Sequence, residues 1–260
     1  MSWVGVQRLE AAERLLQPFE RAAPEALEGF EVLPNQALAA VLAHDPGTRP
    51  PLAGAHAWHA LVELASPNSE PALGTLVENV LAEGIERGWA EDAVIAANEA
   101  QAEAFWRLRD GISAAERALG PAMQHDIAVP AGRMAAFVAD AVPDIERRFP
   151  GTTAVAFGHL GDGNVHFHVR APQGAERGTW VAREGAAISA HVHDLVTAWE
   201  GTISAEHGIG QMKRDELART ADPVRLSVLA RVKQALDPQG LLNPGKLLDP
   251  AALAPPPGSP

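Results

Sequence analysis

A net charge of −12 over 260 residues removes two classes of function at the outset. A general nucleic-acid binder needs a cationic face against phosphate, and an anionic bilayer repels an acidic surface. Hydrophobic residues at 47% and charged residues at 21% are the balance of a packed globular chain, and the absence of cysteine excludes disulfides, thiolate metal sites and a cysteine nucleophile.

In chain order, Leu9, Leu15, Leu16 and Phe19 recur at helical spacing, which predicts a helix over residues 5–29 and makes 1–29 a helical lead-in to a main domain over 30–250. Phe30 to Leu33 reads as a strand or short turn, 35–43 as a helix, and Pro46, Pro50 and Pro51 mark a loop. Trp58 to Leu64 alternates as a strand does. Pro67-Asn68-Ser69 introduces a helix over 70–88 that closes at Gly88. Val94 to Ala96 is a short strand, 98–118 a strong helix, and His125 to Val129 a strand stopped by Pro130. A helix over 131–148 precedes two strands, 154–157 and 165–169, set around a glycine-rich turn. A helix over 178–200, a short strand over 201–204 and a helix over 223–236 follow, and the Ala- and Pro-rich stretch 251–260 reads as a disordered tail. No internal repeat is visible, and no apolar stretch approaches the roughly 18–20 residues of a membrane span. The fold class is α+β, an antiparallel sheet carrying helices mainly on one face.

The most informative segment runs from Gly158 to His168. Asp162-Gly163 is a tight-turn signal, because glycine accepts positive φ and aspartate caps its own backbone. A hairpin there returns His159 toward His166, and period-two geometry puts His166 and His168 on one face. Converging imidazoles suit a divalent metal; histidines bonded to backbone in a half-buried sheet are the plainer alternative. No Gly-Lys-Ser/Thr follows, so a phosphate loop is disfavoured. Downstream, Glu206 offers a carboxylate that would complete a set of two imidazoles and one carboxylate, and His207 a general base near neutral pH. Arg109 and Ser113, four apart on a predicted helix, share a face on which a guanidinium and a hydroxyl can clamp a carboxylate.

Together these segments resemble the C-terminal domain of the FAD-linked oxidase family, which includes D-lactate dehydrogenase, D-2-hydroxyglutarate dehydrogenase and the flavin subunit of glycolate oxidase. The resemblance rests on Gly158 to His166, on Glu206 to Gly210, and on Leu236-Asp237-Pro238 through Leu242-Asn243-Pro244-Gly245-Lys246, with Arg109 and His125 to Pro130 in support. It implies a ferredoxin-like substrate (cap) domain in which His159, His166 and Glu206 hold a zinc-class divalent metal. It further implies that His207 takes a proton while the α-hydrogen leaves as hydride to FAD. Arg109, Ser113, Asn164 and His168 would meet a small 2-hydroxy-acid substrate, and Gly208 and Asn243 the flavin. Gln124 stands where the family commonly has a lysine, which counts against a dianionic substrate. No flavin-binding domain resembling the family's is visible before residue 30, so the expected partner is a separate or deleted FAD-binding domain, with a homodimer as a further expectation and the cytoplasm as the compartment. Two other readings are a stand-alone metal-dependent hydrolase and a non-catalytic partner subunit of a flavoprotein.

Overall fold

The computed structural model describes residues 1–66 and 70–249, so the predicted turn at Pro67-Asn68-Ser69 and the tail at 251–260 lie outside the described residues. The elements are β1 (Ser2–Val6), α1 (Leu9–Ala22), β2 (Leu27–Pro34), α2 (Asn35–His44), β3 (Trp58–Leu64), α3 (Glu70–Glu86) and β4 (Asp92–Ile95). There follow α4 (Glu99–Asp110), α5 (Ile112–Leu119), β5 (Ala122–Ala128), α6 (Met134–Arg148), β6 (Thr153–His159), β7 (Asn164–Arg170), α7 (Arg177–Ala198), α8 (Arg214–Thr220) and α9 (Pro223–Leu236). The strands form one sheet in the order β4-β1-β3-β2-β6-β7-β5, and every pairing is antiparallel. The α+β class read from the sequence is the observed one.

No sequence repeat announces it, yet the topology repeats. The unit β1-α1-β2-β3-α3-β4 lies in the order β4-β1-β3-β2, the split βαβ arrangement of ferredoxin-like folds. A second unit, β5-α6-β6-β7-α7, lies in the order β6-β7-β5, and Thr202 bridges Ala128 where its fourth strand would be. The two units meet edge to edge through β2 and β6, in the register Glu31↔His159 and Val32↔Gly158.

Three expectations need correction. Residues 1–29 are not a helical lead-in: Ser2–Val6 is a fully buried strand paired to both β3 and β1's other neighbour β4. A strand covered on both faces shows no alternation, so the periodic leucines of α1 mask it. The helix expected over 98–118 breaks at Gly111 into α4 and α5; a Cβ there would stand 2.9 Å from Val41 Cγ1, so glycine lets α2 approach the junction. The strand expected at 201–204 amounts to the single Thr202 bridge.

Helices also cover more than one face. α1, α3, α6 and α7 pack on the side carrying Val4, Val32, Val62 and Phe167. α2, α4 and α5 bury Trp3, Leu33, Leu61, Val155 and Phe157 on the other. Each large side chain so buried contributes on the order of 2–3 kcal/mol. Alternation from Phe157 and Leu33 carries His159 and Glu31 onto this second face, and cross-strand pairing to Phe157 adds His166. Among the described residues, no helix is long and apolar enough to cross a membrane.

Candidate metal centre

The β6–β7 hairpin sets two candidate ligands. Asp162 Oδ1 accepts the Asn164 amide at 2.9 Å, and Gly163 takes φ +75. A Cβ at Gly163 would lie 2.0 Å from the Val129 carbonyl oxygen, and one at Gly158 2.3 Å from that of Asn164. Glycine is required at both positions, and it lets the hairpin close against β5. His159 pairs with Asn164 and His166 with Phe157, so the two histidines are diagonal neighbours with ring centroids 6.0 Å apart.

The third candidate ligand comes from the loop after α7. Gly201 and Thr202 run beside the edge strand β5, and Ala205 N donates to Asp126 O. Asp126 Oδ2 then accepts the amides of Glu206 (3.0 Å) and His207 (2.8 Å). Lys213 Nζ donates to the carbonyls of Asp126 and Ile203 and ties the far side of the loop to the same strand. Burial pushes the Asp126 carboxyl up, but the two amide bonds and Lys213 outweigh it and hold it below its ordinary value. The same burial lowers Lys213.

These elements bring together His159, His166 and Glu206, each offering one ligand atom within 4.8 Å of the others. Ligand atoms sharing a tetrahedral zinc-sized ion stand about 3.3 Å apart, and His159 Nε2 already lies 3.4 Å from Glu206 Oε1. Two imidazoles and a carboxylate, with coordination positions left over, fit a divalent cation of the zinc class. Burial lowers the pKa of His166 and so favours the neutral, ligating ring. His159 is raised instead, because its Nδ1 meets the carboxylate of Glu31.

Sequence reasoning missed Glu31 and Asp126, which contact the cluster and the loop that carries Glu206. Glu31 is 1% exposed and takes His159 Nδ1 on one oxygen and Arg109 Nε, at 2.8 Å, on the other. Burial raises its pKa, but His159 and Arg109 together hold it below the ordinary value. No local signal marks this residue, since its partners lie 78 residues away at Arg109 and across the β2–β6 seam.

The remaining predicted residues divide. Asn164 is 2% exposed, and among the described residues neither its amide nitrogen nor its oxygen has a hydrogen-bond partner, which leaves an unsatisfied polar group beside the candidate ligands. His207 lies next to Glu206, 70% exposed, its Nδ1 3.7 Å from Asp126. Arg109 reaches the cluster, but its Nε is engaged by Glu31 and its guanidinium lies over Phe157. Ser113 lies beyond the Gly111 break on α5 and, among the described residues, makes no hydrogen bond to the cluster. His168 shares the face of His166 but is buried against Phe157, and burial pushes its pKa down to about 4. Gly208 is exposed with φ +73 and nothing within 4 Å of a built Cβ, and Asn243 is exposed with φ +48. Among the described residues, neither position forms a cradle.

The sequence profile described as FAD linked oxidases, C-terminal domain, matches residues 2–247. A D-2-hydroxyglutarate dehydrogenase of Xanthomonas citri pv. viticola is 35% identical over 225 residues, covering 86% of this chain and 46% of that protein. A mitochondrial D-2-hydroxyglutarate dehydrogenase of Arabidopsis thaliana is 30% identical over 249 residues, covering 95% and 43%. The chain thus spans less than half the length of these relatives. Among solved structures, a 4-ethylphenol oxidase from Gulosibacter chungangensis matches with a TM-score of 0.60 over 95% of this chain and 52% of that one, at 16% identity, a likeness of fold alone.

Proposed function

Because the chain belongs to the FAD-linked oxidase family through the C-terminal domain, we propose that it is the substrate-side domain of a flavin-dependent 2-hydroxy-acid dehydrogenase. The observation that carries this reading is the cluster of His159, His166 and Glu206 at ligand spacing on a half-covered sheet face. A divalent metal held there supplies a Lewis acid that makes a bound alcohol easier to deprotonate. A flavin supplies the two-electron acceptor, which no side chain can.

The chain's own residues do the rest. His207, fixed at its backbone by Asp126 and open to solvent, accepts the hydroxyl proton. The unpartnered amide of Asn164 offers one donor and one acceptor to the substrate's oxygens. Arg109 faces the same corner and places positive charge near a carboxylate. The relatives' name points to a diacid, whereas the neutral Gln124 on β5 favours a monoacid.

The flavin half must close over this open cluster, and α9 is where it docks. Among the described residues none of α9 is buried, and Val224, Val228, Val232 and Leu236 form a stripe at i, i+4 spacing, 52% to 78% exposed. Leu241 and Leu242 extend it. An apolar row of this size in water marks a covered interface, and Leu247 N, bonded to Gly210 O, places the segment after α9 beside the Glu206 loop. The relatives' additional length is the proposed partner.

The test combines the chain with the flavin domain of the Xanthomonas relative in trans. D-lactate, glycolate and D-2-hydroxyglutarate are then offered with a dye as electron acceptor. Dye reduction with at least one acid, abolished by a chelator and by His166→Ala, is expected. Silence with all three acids in a flavin-loaded complex refutes the reading, and chelator-sensitive ester hydrolysis by the chain alone would replace it with the hydrolase.

A further inference from the structure

We propose that Glu31 is a positioning residue for the metal: it holds the imidazole of His159 in the tautomer whose bare Nε2 faces the ion. This rests on the metal reading above. Glu31 sits in mid-strand between the buried Phe30 and Val32 and is itself buried. A carboxylate at such a place is costly to desolvate, and an apolar residue would serve the fold as well or better. Its position is specific as well as buried. Glu31 is directly opposite His159 in the short β2–β6 register that joins the two halves of the sheet, and one carboxylate oxygen meets His159 Nδ1.

The hydrogen-bond geometry leaves this oxygen without a formal partner; because an ionised carboxylate only accepts hydrogen bonds, a neutral His159 that bonds it carries its proton on Nδ1. Nε2 is then left without a proton on the side where Glu206 Oε1 lies at 3.4 Å. This is the carboxylate–histidine–metal arrangement, in which the outer carboxylate fixes ring orientation and makes the ligand more basic. Arg109, donating to the other oxygen at 2.8 Å, neutralises Glu31 and keeps its free oxygen turned to the ring. A plain α4-to-sheet ion pair would need the Arg109 contact but not the His159 one.

Two measurements on the full chain test this. The tautomer of His159 is read from imidazole 15N shifts in metal-free protein at a pH where the ring is neutral. Affinity for Zn2+ is measured by competition with a chromophoric chelator, and site geometry from the Co2+ absorption spectrum. The wild type is expected to show the Nδ1–H tautomer. Glu31→Gln keeps the shape, but its amide can donate to Nδ1, so the tautomers mix and Zn2+ binding weakens about 10- to 100-fold. An Nε2–H ring in the wild type overturns the proposal, and so does a Glu31→Gln protein of lower Tm whose Zn2+ affinity is unchanged. If Glu31→Gln does not fold, the wild-type tautomer alone decides. A wild type that binds neither Zn2+ nor Co2+ in a His166-dependent way sinks the metal reading itself; a wild type that binds as expected while Glu31→Gln binds equally sinks only the role of Glu31.

Discussion

Replacing Asp126 by asparagine tests how the loop after α7 delivers Glu206. Oδ2 of Asp126 accepts two backbone amides, those of Glu206 and His207, and the side chain is buried. A hydrogen bond to a buried charge is worth about 1.5–3 kcal/mol, against about 0.5–1.5 for its neutral counterpart. The isosteric amide therefore loses about 1 kcal/mol per bond, or about 2 kcal/mol for the pair. That corresponds to a roughly 30-fold rise in the population of the detached loop. Amide hydrogen exchange at Glu206 and His207 should accelerate by about that factor, while amides of β6 and β7 stay as they were. Zn2+ affinity should fall by no more than the same factor, since His159 and His166 remain on the hairpin. If both amides exchange at wild-type rates in Asp126→Asn, Asp126 does not hold the loop, and the account of how Glu206 reaches the cluster is wrong.

Gly163→Ala forces a side chain onto φ +75 with its Cβ 2.0 Å from the Val129 oxygen. Left-handed strain plus loss of the Val129-to-Gly163 hydrogen bond should cost about 3 kcal/mol, read as a lower midpoint in urea together with weakened Zn2+ binding; an unchanged midpoint contradicts the close packing of turn against β5. Acid should destabilise the fold well before the carboxylates titrate. Burial pushes His59 down to about 4 and His125 to about 3, with neighbouring imidazoles adding to the shift. Between these values and the unfolded value of about 6.5 the unfolded chain binds more protons, so this stability is complete above pH 6.5 and is lost as pH falls toward 4. At pH 5.5 the two together cost about 3 kcal/mol, a Tm drop of roughly 6–12 °C; equal Tm values at pH 7.5 and 5.5 would show that these rings are not buried neutral. Val228→Asp, on the exposed stripe of α9, should change Tm by no more than about 0.5 kcal/mol in equivalent stability yet abolish association with the flavin domain in a pull-down. Retained association places the docking face elsewhere.

The hairpin was legible because its chemistry is local. Asp162-Gly163 fixes the turn, period two fixes which side chains share a face, and the diagonal of His159 and His166 follows. Glu206 was legible only as a residue type in a recognisable segment; nothing nearby says that Asp126, 80 residues earlier, holds it in place. β1 escaped because Trp3, Val4 and Val6 are buried without alternation. α8 escaped because its seven residues contribute little apolar periodicity, Leu217 being its buried side chain. Arg109 and Ser113 were assigned one helix face from spacing that Gly111 interrupts. In each case the missing information was a long-range packing partner.

The candidate site lies beside the junction of the two units. All three candidate ligands belong to the second unit and its trailing loop, whereas the carboxylate that meets His159 belongs to β2 of the first. Arg109, which neutralises that carboxylate, comes from the helix connecting the two. The β2–β6 register is short, so the seam is weakly specified by backbone hydrogen bonds. A charged chain running Arg109–Glu31–His159 across it adds a directional constraint that apolar packing cannot supply. A shift of β2 by one residue would turn Glu31 to the α1 side of the sheet and leave His159 opposite an apolar side chain. The ligand set and the alignment of the two units are therefore coupled, and a metal bound to His159 should stiffen the seam as well as the site.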